Sequence, residues 1–394
     1  MNDISIDLIK KIDKKIKKKE GIFFTPINII NQNIALLENY FNDINTILEP
    51  SCGSCEYITE INKKYNEKNI IGIEKNEVIF NSIKELNKDN IKIINQNFLN
   101  YQSNQKFDLI IGNPPYFVIK KNEVNTNYYK YFEGRPNIFI LFIIKSLTLL
   151  NENGILSFIL PKNFLNCHYY NKTRKFIFDN YKILQIINCD DEFLETKQKT
   201  IIFIIQNKKG TNNNFCLIKN GYYIFNQVDV IHNLKKIYEN SKSLFDLGFD
   251  VKVGNVVWNN NKNILTNDTT KTRLIYSSDI TNNTLTMKTY KNPHKKNFID
   301  KDGDTGEILL INRGYGVSNY NFEYYLLNCE NEYLIENHLI YIKSLNPNGN
   351  NIEDLKKIVS SLSNDKTKNF IELYCSNNAL NTTELKYILP IYGF

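Results

Sequence analysis

The chain has 394 residues, 42% of them hydrophobic, and a formal net charge of +7. That length is enough for two domains with separate cores, and the apolar content excludes a disordered chain. The mild positive balance permits a polyanionic partner without requiring one. Arginine is confined to Arg135, Arg174, Arg273 and Arg313, while Asn, Ile and Lys abound, a bias expected of an AT-rich coding sequence. Seven cysteines at irregular spacing argue against a disulfide framework and for a reducing compartment. Cys52-Gly53-Ser54-Cys55 has no second pair or histidine cluster to complete a metal site, so no metal is expected. No run of about 18 apolar residues occurs, and a soluble, intracellular, cytoplasmic protein is expected.

Residues 4–20 read as one basic amphipathic helix whose stripe of Leu8, Ile12 and Ile16 packs on the body, with a DNA-contacting arm as the alternative. From Gly21 strands and helices alternate. Thr25-Pro26 is expected to open a helix with Pro26 at its first position and Ile30, Ile34 and Leu37 on one face. Apolar strands follow at 46–48, 70–73, 91–94 and 107–111, with helices after Gly53 and through Ile79, Ile83 and Leu86. A strongly apolar helix is expected over 137–150, then strands at 154–160, 183–187 and 200–205. This alternation implies an α/β fold with a doubly wound, mostly parallel sheet, and such sheets bind ligands beyond the carboxyl ends of their strands. The polar run Asn207–Asn214 loses periodicity. It sets a boundary near residue 210, dividing the chain into an N-terminal helix (1–20), an α/β domain (21–210) and a less regular second domain (211–394).

Three strand ends carry a cofactor signal. After the first strand comes Glu49-Pro50-Ser51-Cys52-Gly53, where small residues let backbone approach a ligand at a helix N-terminus. After the second comes Glu74, 21 residues beyond Gly53, a spacing that suits an acid accepting both hydroxyls of a ribose. After the third comes Gln96-Asn97-Phe98, where Asn97 could meet an adenine amine and Phe98 could pack on the ring. The missing GxGxxG turn speaks against a nicotinamide dinucleotide, whose pyrophosphate needs it. A sulfonium cofactor has no phosphate and tolerates a less glycine-rich turn.

The most specific stretch is Phe107–Tyr116, a buried strand running straight into Asn113-Pro114-Pro115-Tyr116. An exocyclic aryl amine is a poor nucleophile because its lone pair is delocalised into the ring. The Asn113 side-chain oxygen and the Pro114 carbonyl could accept both N–H bonds, aim the lone pair at a methyl group and stabilise the charge that develops. The prolines stiffen the loop and free its carbonyls, and Tyr116 could stack on the base. A base hidden in a duplex must be flipped out and then needs a second aromatic, for which Phe193 in Asp190–Leu194 is the candidate.

These residues resemble the gamma-type N6-adenine DNA methyltransferases of restriction–modification systems. The N-terminal cofactor motif of that family is similar to Gly21-Ile22-Phe23-Phe24-Thr25-Pro26, its second motif to Glu49–Cys55, its ribose-binding acid to Glu74 and its catalytic loop to Asn113–Tyr116. Its later motifs resemble Pro136-Asn137-Ile138-Phe139 and Gly154–Phe164, and it places a stacking aromatic at Phe193. The resemblance spans roughly 21–206. It implies a Rossmann-like methyltransferase domain that binds S-adenosyl-L-methionine and a C-terminal mixed target-recognition domain on double-stranded DNA. A monomer is implied, and a cognate restriction endonuclease would be the partner. Two departures stand out: the family usually has Gly where this chain has Cys55, and Asp where it has Asn97.

In the second domain, Arg313 in the turn-rich Asn312–Gly316 is a candidate base reader, since Arg pairs bidentately with guanine, with a phosphate contact or ion pair as the alternative. His294, Lys295 and Lys296 suit phosphates, and Trp258 suits the core. Two rival functions share the loop chemistry or the fold: an RNA-adenine or protein-glutamine N-methyltransferase, and an inactive DNA-binding protein. Those other methyltransferases usually carry an extra domain before the catalytic core, whereas here it follows.

Overall fold

The computed structural model describes residues 3–189, 198–312, 322–346, 351–374 and 380–394. The chain forms two compact units, one of Met1–Leu217 with Tyr223–Ile231 and the other of Ile218–Tyr222 with His232–Phe394.

The first unit is built on a seven-stranded sheet. Its strands are β1 (Thr46–Glu49), β2 (Asn69–Glu74), β3 (Ile91–Asn95), β4 (Phe107–Gly112), β5 (Leu150–Pro161), β6 (Lys182–Asn188) and β7 (Thr200–Gln206), in the order β3-β2-β1-β4-β5-β7-β6. β1 to β5 are mutually parallel, and β7 runs antiparallel to both β5 and β6. The short stretch between β6 and β7 suits an antiparallel return, because a parallel crossover needs a dozen or more residues.

The helices are α1 (Asp3–Lys11), α2 (Lys14–Glu20), α3 (Ile27–Leu36), α4 (Glu56–Lys64), α5 (Glu77–Ile83), α6 (Ile138–Leu149) and α7 (Asn171–Asn180). Side chains alternate across each strand, so the sheet feeds two cores. Leu48, Ile110 and Leu156 pack with Phe139, Ile143 and Leu147 of α6, while Ile47, Leu109 and Ile155 pack with residues of α1, α3, α4 and α5. Helices on both faces are the doubly wound arrangement expected from the alternation.

The single helix expected over 4–20 is two. The chain breaks at Asp13, whose side chain accepts from the Lys15 amide and caps α2. Leu8 and Ile12 are buried as the stripe required, but past the break Ile16 is 45% exposed. Pro26 lies one residue earlier than expected, as the N-cap of α3 instead of its first helical residue.

The second unit holds a mixed seven-stranded sheet. In spatial order its strands are Phe249–Val253, Leu339–Ser344, Asp304–Asn312, Tyr324–Ile335, Thr272–Ile275, Phe298–Ile299 and Leu265–Thr266. All neighbours are antiparallel except Thr272–Ile275 against Tyr324–Ile335. Helices Asn351–Leu362, Asp365–Tyr374 and Thr382–Tyr387 end the chain. No helix among the described residues is long and apolar enough to cross a membrane.

Candidate active site

The strand order reverses between β1 and β4, the switch point at which doubly wound sheets bind ligands. A cavity of about 770 Å³, including its open mouth, lies there. The turn after β1 contributes Pro50, Ser51 and Gly53, and the end of β4 contributes Asn113 and Pro115. Glu74 ends β2, and Gln96, Asn97 and Phe98 follow β3. Phe24, Phe117, Ile138 and Phe142 add apolar wall.

Glu74 is 8% exposed. One carboxylate oxygen accepts from the Gly53 amide at 3.0 Å and the other from the Asn76 amide at 2.6 Å. Burial pushes this carboxyl up to about 7, against the pull of the Asn76, Gly53 and Lys75 amides, with Glu20 adding to the rise. Each oxygen keeps a lone pair beyond its amide bond, so the pair can still accept from two hydroxyls. Phe98 is held from behind: its ring lies 5.0 Å from Phe142, and the Lys145 ammonium sits 5.6 Å from its centroid. Asn97 uses its side-chain oxygen to accept from the Leu99 amide at 3.0 Å, capping a short 3-10 turn.

At Cys55 the turn after β1 keeps a glycine-like backbone without a glycine. Cys55 has φ 59° and ψ 30°, in the left-handed region, and is fully buried. A side chain there costs roughly 1–2 kcal/mol in backbone energy relative to Gly. Cys55 therefore holds a conformation that a glycine would adopt without that strain.

The loop Asn113–Tyr116 is tied down on several sides. The Ser51 hydroxyl donates to the Asn113 backbone carbonyl at 3.1 Å. The Asn113 amide nitrogen donates to the Thr25 hydroxyl at 3.1 Å, and the Tyr116 hydroxyl donates to the Asn113 side-chain oxygen. The Tyr116 oxygen also lies 2.7 Å from the Ile159 carbonyl, and its ring meets Phe139 edge-on at 6.0 Å. Burial pushes the Tyr116 phenol well above its ordinary value, which keeps it a donor. Gly21, at φ +67°, allows the N-terminal motif to reach this loop: a Cβ there would lie 2.9 Å from the Tyr116 nitrogen and 3.1 Å from Pro115 Cβ.

Four residues expected around the cofactor do not line the cavity: Thr25, Pro26, Glu49 and Cys52. Thr25 turns toward Asn113, and Pro26 caps α3. Cys52 is buried beside Gly72, where a Cβ would come within 3.1 Å of its sulfur. Glu49 is 3% exposed and packs beneath Gly112, with its Oε2 lacking a hydrogen-bond partner. Burial and the neighbouring Cys55, Glu56 and Glu74 hold its carboxyl well above the usual range. Conversely, Glu20, Lys75, Asn76 and Ile79 line the cavity and were not expected there, while Ile22 and Phe23 line it as members of the N-terminal motif. The position of Glu20 beside the recognised motif was the available signal. Phe193 and Arg313 lie outside the described residues.

In the second unit His294 is exposed and Lys296 half-buried. Lys295 turns inward, its ammonium 4.1 Å from the ring centroids of Tyr276 and Tyr290 and 5.8 Å from that of Trp258. Burial lowers its pKa, with Glu336 and Asp279 opposing. Trp258 is partly buried against the cluster around Leu274 and Ile299.

Residues 8–194 match the Eco57I restriction-modification methylase family model. Over 410 aligned residues the chain is 29% identical to the type II methyltransferase M.CvrRI of Paramecium bursaria Chlorella virus XZ-6E, covering 99% of both chains. It is 28% identical over 398 residues to the modification methylase CviBIII of Paramecium bursaria Chlorella virus NC1A, covering 99% of this chain and 98% of that one. Along nearly its whole length the chain is thus similar to type II restriction–modification methyltransferases. A solved DrdV–DNA complex, 13% identical, aligns with a TM-score of 0.51 over 93% of this chain and 56% of that chain, a likeness in fold. The sheet with its switch-point cavity is accordingly a Rossmann-like methyltransferase fold, shared with these relatives.

Proposed function

We propose that the chain is a site-specific DNA methyltransferase that methylates N6 of an adenine flipped out of double-stranded DNA. The cofactor is S-adenosyl-L-methionine, and the cavity fits it. Glu74 offers two backbone-anchored acceptors for a ribose, Phe98 and Phe142 give an apolar wall for an adenine, and Asn113 lines the same cavity. Bound, this cofactor supplies an electrophilic methyl group on a sulfonium.

The chain's own residues act on the amine. The Asn113 side-chain oxygen and the Pro114 carbonyl accept its two N–H bonds, concentrating the lone pair on the side facing the cavity. As the nitrogen gains positive charge, both acceptors hold it more strongly than in the ground state, which is the condition for acceleration. The proton leaves after the transfer, when the amine has become strongly acidic, so no strong base is required. Tyr116 covers one face of the base, and Phe193 is assigned to the other. The second unit is assigned to target recognition, with Arg313 as a base reader and His294 and Lys296 on phosphates. Lys295, enclosed by rings, is better suited to support the last two than to touch DNA. The relatives' names as type II and modification methylases support DNA as substrate, and a restriction endonuclease is the partner such a methylase protects against.

The observation that carries this reading is Asn113 at the switch point, fixed at the end of β4 beside the Glu74–Phe98 cavity. The test offers methyl-labelled cofactor to unmethylated duplex DNA, to RNA and to a protein extract, followed by nucleoside and amino-acid analysis. Label in N6-methyladenine of DNA supports the reading. Label in RNA or glutamine alone, or in nothing, defeats it.

A further inference from the structure

A primary amide is a near-symmetric plate. Turned over about its Cβ–Cγ bond, it would present N–H groups to the incoming amine in place of an oxygen, and donor would meet donor. A loop that uses Asn113 as an acceptor therefore needs something to hold the plate in one orientation. Backbone stiffness from Pro114 and Pro115 fixes where the residue sits but not how its amide is turned.

We propose that Thr25 and Tyr116 are positioning residues that clamp the Asn113 carboxamide from its two ends, an inference that rests on the methyltransferase reading of this loop. The Thr25 hydroxyl accepts from the amide nitrogen at 3.1 Å. Thr25 is 8% exposed, lies outside the cavity wall, and belongs to the segment that Gly21 lets approach the loop. The motif around it thus serves two ends: Phe24 faces the cofactor cavity and Thr25 faces the catalytic amide.

Tyr116 holds the other end by donating to the side-chain oxygen. A carbonyl oxygen has two lone pairs, so this bond leaves one for the target. The phenol has a single hydrogen and two acceptors within reach, the Asn113 oxygen and the Ile159 carbonyl at 2.7 Å. Before the target arrives, the O–H keeps the amide oxygen satisfied and aimed. When the target amine needs more of that oxygen, the O–H can swing to Ile159 without being left unpaired. Tyr116 therefore has a role for its hydroxyl separate from any role of its ring.

The test compares Thr25→Val, Thr25→Ser, Tyr116→Phe and the Thr25→Val/Tyr116→Phe double variant with the parent chain. Each is assayed on unmethylated plasmid DNA for single-turnover methylation rate, KM for DNA and Kd for cofactor, with a thermal melt to confirm folding. Thr25→Val, isosteric but unable to accept, should slow the single-turnover step about tenfold, the loss of one hydrogen bond's worth of orientation, with Kd and KM moving less than about twofold. Thr25→Ser should restore most of the rate. Tyr116→Phe should slow the same step while leaving KM unchanged. The double variant should be no slower than about the worse single one, since either loss frees the same plate. A Thr25→Val defect that appears in cofactor Kd at unchanged rate would make Thr25 a cofactor contact and overturn the clamp. A Thr25→Ser variant as slow as Thr25→Val would assign the effect to the lost methyl and overturn it too. If the parent chain methylates DNA and Thr25→Val matches it, only the clamp fails; if the parent chain labels no DNA adenine, the underlying reading fails with it.

Discussion

Each unit of this molecule withdraws a charged group from water, and the two do it differently. In the first, the Glu74 carboxylate is buried at a cavity and pushed up to about 7. In the second, the Lys295 ammonium is half-buried and its pKa is lowered. Burial is the leading cause in both cases, and both shifts favour the neutral form. They differ in what answers the charge. Glu74 is met by two backbone amides that leave acceptor capacity facing the cavity, whereas Lys295 is enclosed by Tyr276, Tyr290 and Trp258 of its own unit. A shifted pKa marks desolvation in either setting. Only the unused hydrogen-bonding capacity marks a place for a ligand.

The sharpest way to break the comparison is to remove Asn113, the group proposed to act on the target beside the first cavity. Asn113→Ala should lower methyl transfer to DNA by at least about 10²-fold, the scale of deleting one preorganised polar contact at a transition state. Cofactor affinity, measured by calorimetry, should stay near that of the parent chain. A parallel collapse of cofactor binding would mean that Asn113 builds the cavity and does not act on the target.

Glu74 comes next. In its proposed role Glu74 accepts from ribose hydroxyls as the ionised carboxylate, so binding should favour loss of its proton. Because the free carboxyl titrates near 7, cofactor affinity should rise as pH increases through about 7 and then level off, with a proton released on binding below that point. Calorimetry in buffers of different ionisation enthalpy reads this release directly. Glu74→Gln should bind roughly 10- to 100-fold more weakly, given the cost of losing charge-assisted hydrogen bonds, and its affinity should be flat with pH. The linkage for stability has the opposite sign. The free fold holds this proton up to about 7 whereas the unfolded chain loses it near 4.5, so Glu74 lowers the stability of the cofactor-free protein as pH rises through that window. A pH-independent affinity in the parent chain would remove Glu74 from the ribose.

How far the sequence exposed these features follows from which forces placed them. Strands β1 to β4 were readable because parallel strands buried on both faces are continuous apolar runs, and Glu74 and Asn113 were readable because one closes such a run and the other directly follows one. The break at Asp13 was hidden in a lysine-rich run, where a capping aspartate looks like one more surface charge. Glu49 was misplaced because residues after a strand share a sequence position with ligand contacts yet point elsewhere; its side chain packs under Gly112. The entry of Glu20 into the cavity depends on the fold of α2 over the end of β2, shown by its bond from the Asn76 side chain at 3.1 Å. The sheet of the second unit pairs Arg273 with Tyr333, 60 positions away, and no local pattern announces such a register. Lys295 lay in a basic triplet, and only the tertiary arrangement of three rings distinguishes it from its neighbours.

Lys295 gives a smaller effect that separates the two explanations of that triplet. Lys295→Gln should cost about 1–2 kcal/mol of stability through lost cation–π contacts and leave the salt dependence of DNA binding unchanged. Lys296→Gln should do the reverse, lowering the slope of log K against log salt by about 0.9, as for one phosphate contact. A fall in slope for Lys295→Gln at unchanged melting temperature would return Lys295 to the DNA and end the contrast with Glu74.

The smallest effect concerns Cys55, where backbone and side chain pull in opposite directions. Its φ of 59° favours glycine, while its complete burial favours keeping the sulfur. Cys55→Ala loses the buried sulfur and retains the left-handed strain. Cys55→Gly loses slightly more buried surface and relieves that strain, worth about 1 kcal/mol. Glycine should therefore be the more stable of the two by up to about 1 kcal/mol, the order also expected at an N-cap, with cofactor affinity the same in both because the turn keeps its shape. Melting curves of the two variants side by side decide it. If alanine proves the more stable, the left-handed conformation at Cys55 carries no strain, and the turn tolerates a side chain because its backbone has shifted away from that of its glycine-bearing relatives.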